Sequence, residues 1–268
     1  MKPFVFALKR QPDQRLDLAP LVPHLIAGKS AAEIAAIQLQ TTREKLTAGD
    51  IFEIEHGDAQ SIRFEGGSER FDNVGHGLKS GSIVVNGNAG KAIARFMSGG
   101  SVTVTGSVGP FAGSALSGGI LEIEGDAGDF LGAPINGEME GMSGGFIFVR
   151  GSAGERAGDR LRRGTIVIEG GAGDYPGSRM IAGTLIVLGS SGALPGYLMR
   201  RGTIVLARPP AIAPTFVDCG VHQLTFARVF ARLLEPQSAG AAELLLRPLR
   251  RLAGDTAALG KGEVFFPA

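Results

Sequence analysis

Only one cysteine, Cys219, occurs among the 268 residues, so no internal disulfide framework holds this chain together and a reducing compartment suits it. An excess of charge is missing as well. The 27 Lys and Arg against 26 Asp and Glu leave a formal net charge of +1, which gives no global electrostatic pull toward nucleic acid. Long hydrophobic runs are absent: the apolar stretch from Met1 to Leu8 meets Lys9, Arg10 and Asp13 at once, too short for a signal peptide or a membrane span. The expectation is a soluble, cytoplasmic protein that binds neither nucleic acid nor membrane. Between Gly81 and Arg208 no run of ten or more residues has helical spacing, which excludes leucine-rich, ankyrin and tetratricopeptide arrays.

What is present is a repeat. The stretch Gly164-Thr165-Ile166-Val167-Ile168-Glu169-Gly170-Gly171-Ala172-Gly173 has near copies beginning at Gly81, Gly100, Gly119, Gly145 and Gly183, and a fading one at Gly202. Successive starts lie 19 residues apart, apart from one step of 26. The seven extra residues of that step fall within Ala133 to Gly141 and read as a loop pushed out of one turn. A later position keeps phase too, with Leu78, Met97, Leu116, Met142, Leu161, Met180 and Met199 in equivalent places. Each unit opens with an alternating apolar pair, Ile166 and Ile168 in this copy, the two-residue period of a strand with one buried face.

These features predict an all-β fold, a parallel β-helix or solenoid with coils of about 19 residues, glycines serving the corners. Three buried apolar side chains cannot offset the ordering of a whole coil, so the coils must fold together. The predicted organisation is a non-repeating N-terminal cap over 1–48, the β-helix over 49–208 and a C-terminal cap or extension over 209–268. Phe4 to Leu8 reads as a strand, and Ser30-Ala31-Ala32-Glu33 as a capping box opening a short helix near 31–39. Asp50 to Gly57 and Ser61 to Gly66 read as strands of degenerate opening coils. After Pro209, Pro210 and Pro214, the segment Val221 to Leu234 sets Phe226, Val229, Phe230 and Leu233 on one helical face, expected to cover the last coil. Leu244 to Leu246 and Val264 to Phe266 read as short strands.

Residues with chemical potential are scattered. His24, His56, His76 and His222 form no metal-ligand spacing with one another or with Cys219. Cys219 has His222 nearby in sequence, yet a lone thiol in a capping segment is more often a small buried hydrophobe. Gly75 to Gly81 superficially matches a phosphate loop but lacks the strand-then-helix setting that aims a helix dipole at phosphate. The one charged pattern is Arg162-Arg163 and Arg200-Arg201, at equal phase two coils apart and hence about 10 Å from one another on one edge, with Arg160 and Arg179 close in sequence. It reads either as a solvated edge or as a basic strip that docks an acidic partner or a polyanionic carrier arm, since Arg forks bind carboxylates well.

The Gly-x-Ile-x-Val-x-Gly-x-x-Gly units, with Pro195-Gly196-Tyr197-Leu198-Met199-Arg200-Arg201-Gly202-Thr203-Ile204 and Pro214-Thr215-Phe216-Val217-Asp218-Cys219-Gly220, resemble the formylmethanofuran dehydrogenase C-subunit family and, within it, the C-subunit of bacterial formyltransferase/hydrolase complexes. The resemblance covers essentially the whole chain. It implies a right-handed helix and a non-catalytic structural subunit in a four-subunit assembly. That assembly moves a formyl group from a tetrahydromethanopterin carrier to a methanofuran-type carrier and releases formate. The implied partners are an amidohydrolase-like subunit holding a metal, a formyltransferase subunit and a further structural subunit. No catalytic, cofactor-binding or metal-binding residue carries over to this chain.

Two alternatives stay open. The repeat is shared with the C-terminal domain of the glutamate synthase large subunit, so the chain also reads as a spacer in a nitrogen-assimilating enzyme. A stand-alone solenoid acyltransferase or polysaccharide lyase is the other. Hexapeptide coils of 18 residues fit the spacing of 19 poorly, and a lyase needs clustered charges of which only the Arg edge is visible.

Overall fold

The computed structural model describes residues 2–268. The chain begins with β1 (Pro3–Leu8), β2 (Leu16–Asp17), helices α1 (Pro23–Ile26) and α2 (Ala31–Ala35), β3 (Gln38–Thr41), β4 (Leu46–Thr47), the single turn α3 (Ala48–Ile51) and β5 (Phe52–Glu55). Then come β6 (Asp58–Glu65), β7 (Phe71–Asp72), β8 (Ser82–Asn86), β9 (Ser101–Val104), β10 (Ile120–Ile123), β11 (Ser143–Val149), β12 (Arg163–Ile168), β13 (Thr184–Val187) and β14 (Arg201–Leu206). The chain finishes with β15 (Val217–His222), α4 (Thr225–Leu234), α5 (Ala239–Leu246), β16 (Leu249–Gly254) and β17 (Lys261–Pro267).

Thirteen strands form one sheet in the order β15-β16-β17-β14-β13-β12-β11-β10-β9-β8-β6-β1-β5. From β6 to β14 every pair is parallel, and each repeat sits in register on its neighbour: Val102 faces Ile83 and Leu121, Ile166 faces Ile147 and Leu185. Two apolar rows therefore run through the stack, and the Leu or Met of each unit forms a third, all fully buried from Leu78 to Met199. A second line of parallel bridges joins Ala89, Val108, Ala127, Ala153, Ala172 and Ser191 in succession. The 26-residue step leaves the register untouched, since Ile120 still pairs with Phe146. The extra residues lie outside the stack.

The corners use backbone that L-residues seldom adopt. Phe111, Gly113 and Ala115 have φ of +63°, +68° and +54°, and Tyr175, Gly177 and Arg179 repeat the pattern at +59°, +68° and +54°. This conformation costs about 1–2 kcal/mol per non-glycine residue. Hydrogen bonds to both neighbouring units offset it: Gly113 N donates back to Ile93 O at 2.7 Å, while Phe111 N donates forward to Asp129 O at 3.0 Å. Only the middle residue must be small, because a Cβ on Gly113 would collide with Ile147 Cδ1, inside the core. Side chains at the outer positions stack on one another instead, as Phe111 does on Phe130 at 4.9 Å.

The sheet is mixed, and that corrects the expectation of a wholly parallel stack. Strand β5 pairs antiparallel with β1, so Asp50 to Gly57 is no opening coil. At the other end β15, β16 and β17 are joined antiparallel. The connection from β16 to β17, residues 255–260, is short enough for a hairpin, which favours antiparallel pairing, whereas β15 reaches β16 through both helices. Phe4, Phe6, Phe52, Phe64 and Phe71 fill the first end, with Phe6 stacked on Phe64 at 5.0 Å. The capping box of Ser30 and Glu33 forms, but the helix ends at Ala35 because Leu39 is drawn into β3.

The C-terminal helices differ most from expectation. Leu244 to Leu246 belongs to α5 and is not a strand. Helix α4 packs with Ala227, Ala231 and Leu234 inward and leaves Phe226, Val229 and Leu233 exposed. Both helices lie on the outer face of the sheet, over Phe148, Val167, Ile186 and Val205, and β17 pairs with the last repeat in their place. Small residues win the inner side of α4 because they let helix and sheet approach closely. Arg150 pins the turn between the helices, donating to Glu122 at 3.0 Å, to Glu169 at 2.7 Å and to Gln237 O, while Ser238 Oγ donates to Glu169 at 2.8 Å.

The opening glycine of each unit supplies a stability test. Gly119 has φ of +84°, and a Cβ there would lie 2.6 Å from Gly100 O. Gly119→Ala is expected to destabilise the chain by roughly 2–4 kcal/mol in urea unfolding, against about 1 kcal/mol for Gly137→Ala in the expelled loop, where a Cβ meets nothing within 4 Å.

Candidate interaction site

Arg162 and Arg163 lead into β12 directly after the buried Leu161, and Arg200 and Arg201 lead into β14 after the buried Met199. Ile181 and Ala182 fill the rung between. The backbone fixes the phase: Arg162 N donates to Met142 O at 2.9 Å, Ile181 N to Leu161 O at 2.9 Å and Arg200 N to Met180 O at 2.8 Å. The sheet thus brings the four arginines to one edge, two rungs or about 10 Å apart, and all four are exposed.

They are not equivalent. Arg162 is paired with Glu140 of the expelled loop. That loop lies along the edge, since Gly141 N donates to Arg160 O at 3.0 Å and Arg160 Nη1 to Glu138 O at 2.9 Å. Glu138 also meets Arg95. Arg179 is committed to Asp159, donating from Nε at 2.9 Å and Nη2 at 2.6 Å, and Ser178 Oγ adds a third bond at 2.5 Å. Asp159 is 2% exposed, so this fork is a structural tie. Arg163, Arg200 and Arg201 take part in no ion pair found among the described residues.

Lys261 joins this set through the sheet. Strand β17 pairs parallel with β14 and sets Lys261 opposite Arg201, one rung or about 4.8 Å away. The trace in the sequence is Lys261-Gly262-Glu263-Val264-Phe265, which copies the basic-Gly-x-apolar-apolar opening of Arg163-Gly164-Thr165-Ile166-Val167 outside the 19-residue period. Two like charges side by side repel unless an anion lies between them. Beside the edge is a groove of ≈ 570 Å³ walled by Met139, Arg160, Ile181, Arg200 and Leu259. The arrangement suits carboxylates carried on a chain with some apolar surface, because Arg forks grip the acid and the aliphatic wall takes the rest.

The remaining candidates stay apart. Cys219 is exposed, and His222 Nε2 lies 2.9 Å from its carbonyl oxygen, so no nucleophile and base pair forms there. His56 packs edge-on to Phe4 at 5.5 Å. Among the described residues no three His, Cys, Asp or Glu come together as a metal site, and no helix is long and apolar enough to cross a membrane. Gly75 and Gly77 are corner residues at φ of +73° and +65°, followed by strand β8.

His76 sits between them, half-buried against Phe96 at 5.4 Å, its Nδ1 without a partner. Burial, and then the Arg95 guanidinium, lower its pKa from the ordinary 6.5. The unfolded chain therefore takes up this proton more readily than the folded one. Stability is whole above pH 6.5 and is lost as pH falls through that value toward the lowered folded pKa. The melting temperature is expected to drop between about pH 7.5 and about 5.5, and to drop less in His76→Asn, as read by calorimetry.

The family described as the GXGXG motif matches residues 68–211, the repeat region. The chain is 54% identical over 255 residues to the C-subunit of the formyltransferase/hydrolase complex Fhc of Methylorubrum extorquens, covering 95% of this chain and 96% of that one. It is 36% identical over 93 residues to the C-subunit of the tungsten-containing formylmethanofuran dehydrogenase 2 of Methanothermobacter marburgensis, covering 33% of this chain and 34% of that one. A chain in the crystal structure of the Methylorubrum extorquens complex FhcABCD with methylofuran superposes with a TM-score of 0.95, at 44% identity, covering 98% of this chain and 99% of that one. Repeat, caps and length all coincide, and the chain belongs to the C-subunit family of formyltransferase/hydrolase complexes, related to the C-subunit of formylmethanofuran dehydrogenase.

Proposed function

We propose that this protein is a non-catalytic structural subunit of a formyltransferase/hydrolase complex. In such a complex a formyl group passes from a tetrahydromethanopterin carrier to a methanofuran-type carrier and leaves as formate. The observation that carries the reading is the 54% identity over 95% of the chain. The chain alone binds no cofactor in this reading. Its partners are an amidohydrolase-like subunit with the metal, a formyltransferase subunit and a further structural subunit, in the cytoplasm.

The body of the molecule is, in this reading, a right-handed parallel β-helix within 49–208, its coils beginning at β6 and not at the antiparallel β5, with caps over 1–48 and 209–268. The 19-residue register of β8 on β9 and of β12 on β13 supports it, as does the second line of bridges. A rigid stack suits a scaffold, because neighbouring units restrain each other and little can shift when partners bind. Arg162, Arg163, Arg200 and Arg201, with Lys261, form the strip that receives an acidic segment of a partner or the polyanionic arm of a carrier. Two aspartates elsewhere in the repeats are engaged in stacking: Asp126 Oδ1 accepts from Ser152 N at 2.7 Å and Asp174 Oδ1 from Ala193 N at 2.7 Å.

Two measurements test the reading. The tagged chain, expressed at its native level and recovered from its source cells, is expected to bring down an amidohydrolase-like and a formyltransferase subunit in stoichiometric yield by mass spectrometry, with formate release in the eluate and none from the chain alone. Recovery of the chain by itself, or turnover by the isolated chain, overturns it. For the strip, glutamate at Arg162, Arg163, Arg200 and Arg201 together is expected to weaken partner or carrier binding at least about tenfold at low salt and less at high salt. Unchanged binding and complex activity would eliminate the strip.

A further inference from the structure

Helix α4 turns its apolar side to solvent. Phe226, Val229 and Leu233 are 53%, 73% and 58% exposed, and Leu246 of α5 adds a fourth large side chain at 56%. Single exposed apolar residues are ordinary, but a stripe along a helix marks a contact. These side chains give the fold little, because Ala227, Ala231 and Leu234 already seal the helix to the sheet. Arg228 and Arg232 border the stripe one helical turn apart, and neither joins an ion pair found among the described residues. They also wall a groove of ≈ 560 Å³ between α4 and α5, together with Ala242, Leu246, Glu235 and Glu243. Glu243 is held by Arg247.

We propose that this face docks an amphipathic helix of another subunit of the same complex. Its apolar residues lie on Phe226, Val229 and Leu233, and its carboxylates, spaced three or four residues apart, pair with Arg228 and Arg232. The inference rests on the subunit reading above and adds the surface and the chemistry of the partner. Charge decides against a second copy of this chain as the occupant. Self-docking would set Arg228 and Arg232 against their own counterparts in a desolvated contact, with Glu235 the one carboxylate at the end of α4 to answer them, and like charges so placed repel. An acidic flank on the partner removes that repulsion and supplies the planar acceptors an Arg fork fits. The mode is a helix laid along an apolar stripe and groove, anchored every third or fourth residue.

The test uses the full-length chain co-expressed with the other subunits of its own complex. Val229→Glu combined with Leu233→Glu, and separately Arg228→Glu combined with Arg232→Glu, are compared with wild type for binding to the purified partner subunits, with the melting temperature of each isolated chain as the control for folding. The expected result is an unchanged melting temperature and binding about 10–100-fold weaker for each pair. A photo-crosslinking amino acid at Val229 in an otherwise wild-type chain is expected to capture a partner peptide that is amphipathic, helical and acidic on one flank. Binding equal to wild type in both variants, or cross-linking to a second copy of this chain, overturns the inference while leaving the subunit reading intact. A wild-type chain that fails to assemble overturns both.

Discussion

Everything in this molecule depends on each 19-residue unit finding its successor in register. A parallel pair supplies backbone hydrogen bonds only if the units are stacked without slippage, and a shift of one residue would turn every inward Ile, Val and Leu outward. The corners enforce the same register by another route, because alternate left-handed residues aim their N–H groups at opposite neighbours, as Gly113 and Phe111 do. Side chains add a third constraint. Asn88, Ser107, Asp126 and Ser152 each accept a bond from the backbone of the next unit, a ladder that runs from Ser107 N on Asn88 to Gly171 N on Ser152. A unit that misses its neighbour loses all three at once.

That dependence explains which parts of the chain could be read from sequence. The inward pairs, the Leu or Met row and the expelled loop were legible because stacking demands the same residue type in every unit at the same place. The ends were not, because nothing in Phe52-Glu53-Ile54-Glu55 tells whether its neighbour will run parallel or antiparallel; that is decided by the connection to β1. Helix α4 is the more instructive case. Amphipathicity grouped Phe226, Val229, Phe230 and Leu233, of which Phe230 packs toward the sheet and the other three face solvent, because periodicity cannot say whether such a stripe meets its own sheet or another chain. The residues that do face the sheet, Ala227 and Ala231, carry almost no hydrophobic signal because closeness rather than bulk is what they contribute. A sign of the helices' seat was nonetheless present: the outward residue is Phe148, Val167, Ile186 or Val205 in the late units, but Val84, Thr103 or Glu122 in the early ones.

The basic edge shows the same division. Arg162, Arg163, Arg200 and Arg201 were legible as a row because the period carries them to one side. Their individual states were not, since Glu140 reaches Arg162 from a loop that the period excludes, and Lys261 arrives on a strand that lies beyond the repeat. Two surfaces result, one basic at the strand entrances and one apolar on the outer helix, and both are held by the same stack of β11 to β14. The separation of these two faces is fixed, since the stack between them yields little.

The place of β17 also sets a timetable. It pairs with β14, yet Lys261 follows Leu206 by 55 positions, and the β15–β16 pair has no link to the stack until β17 is in place. At the usual ~5–20 residues per second of synthesis, the open edge of β14 waits roughly 3–11 s after it emerges for the strand that completes it. During that interval the nascent stack presents an unpaired parallel edge to every neighbouring chain on the same messenger, including copies of itself with the identical repeat. Protection of that edge while the ribosome is still at work is a demand that the finished fold conceals.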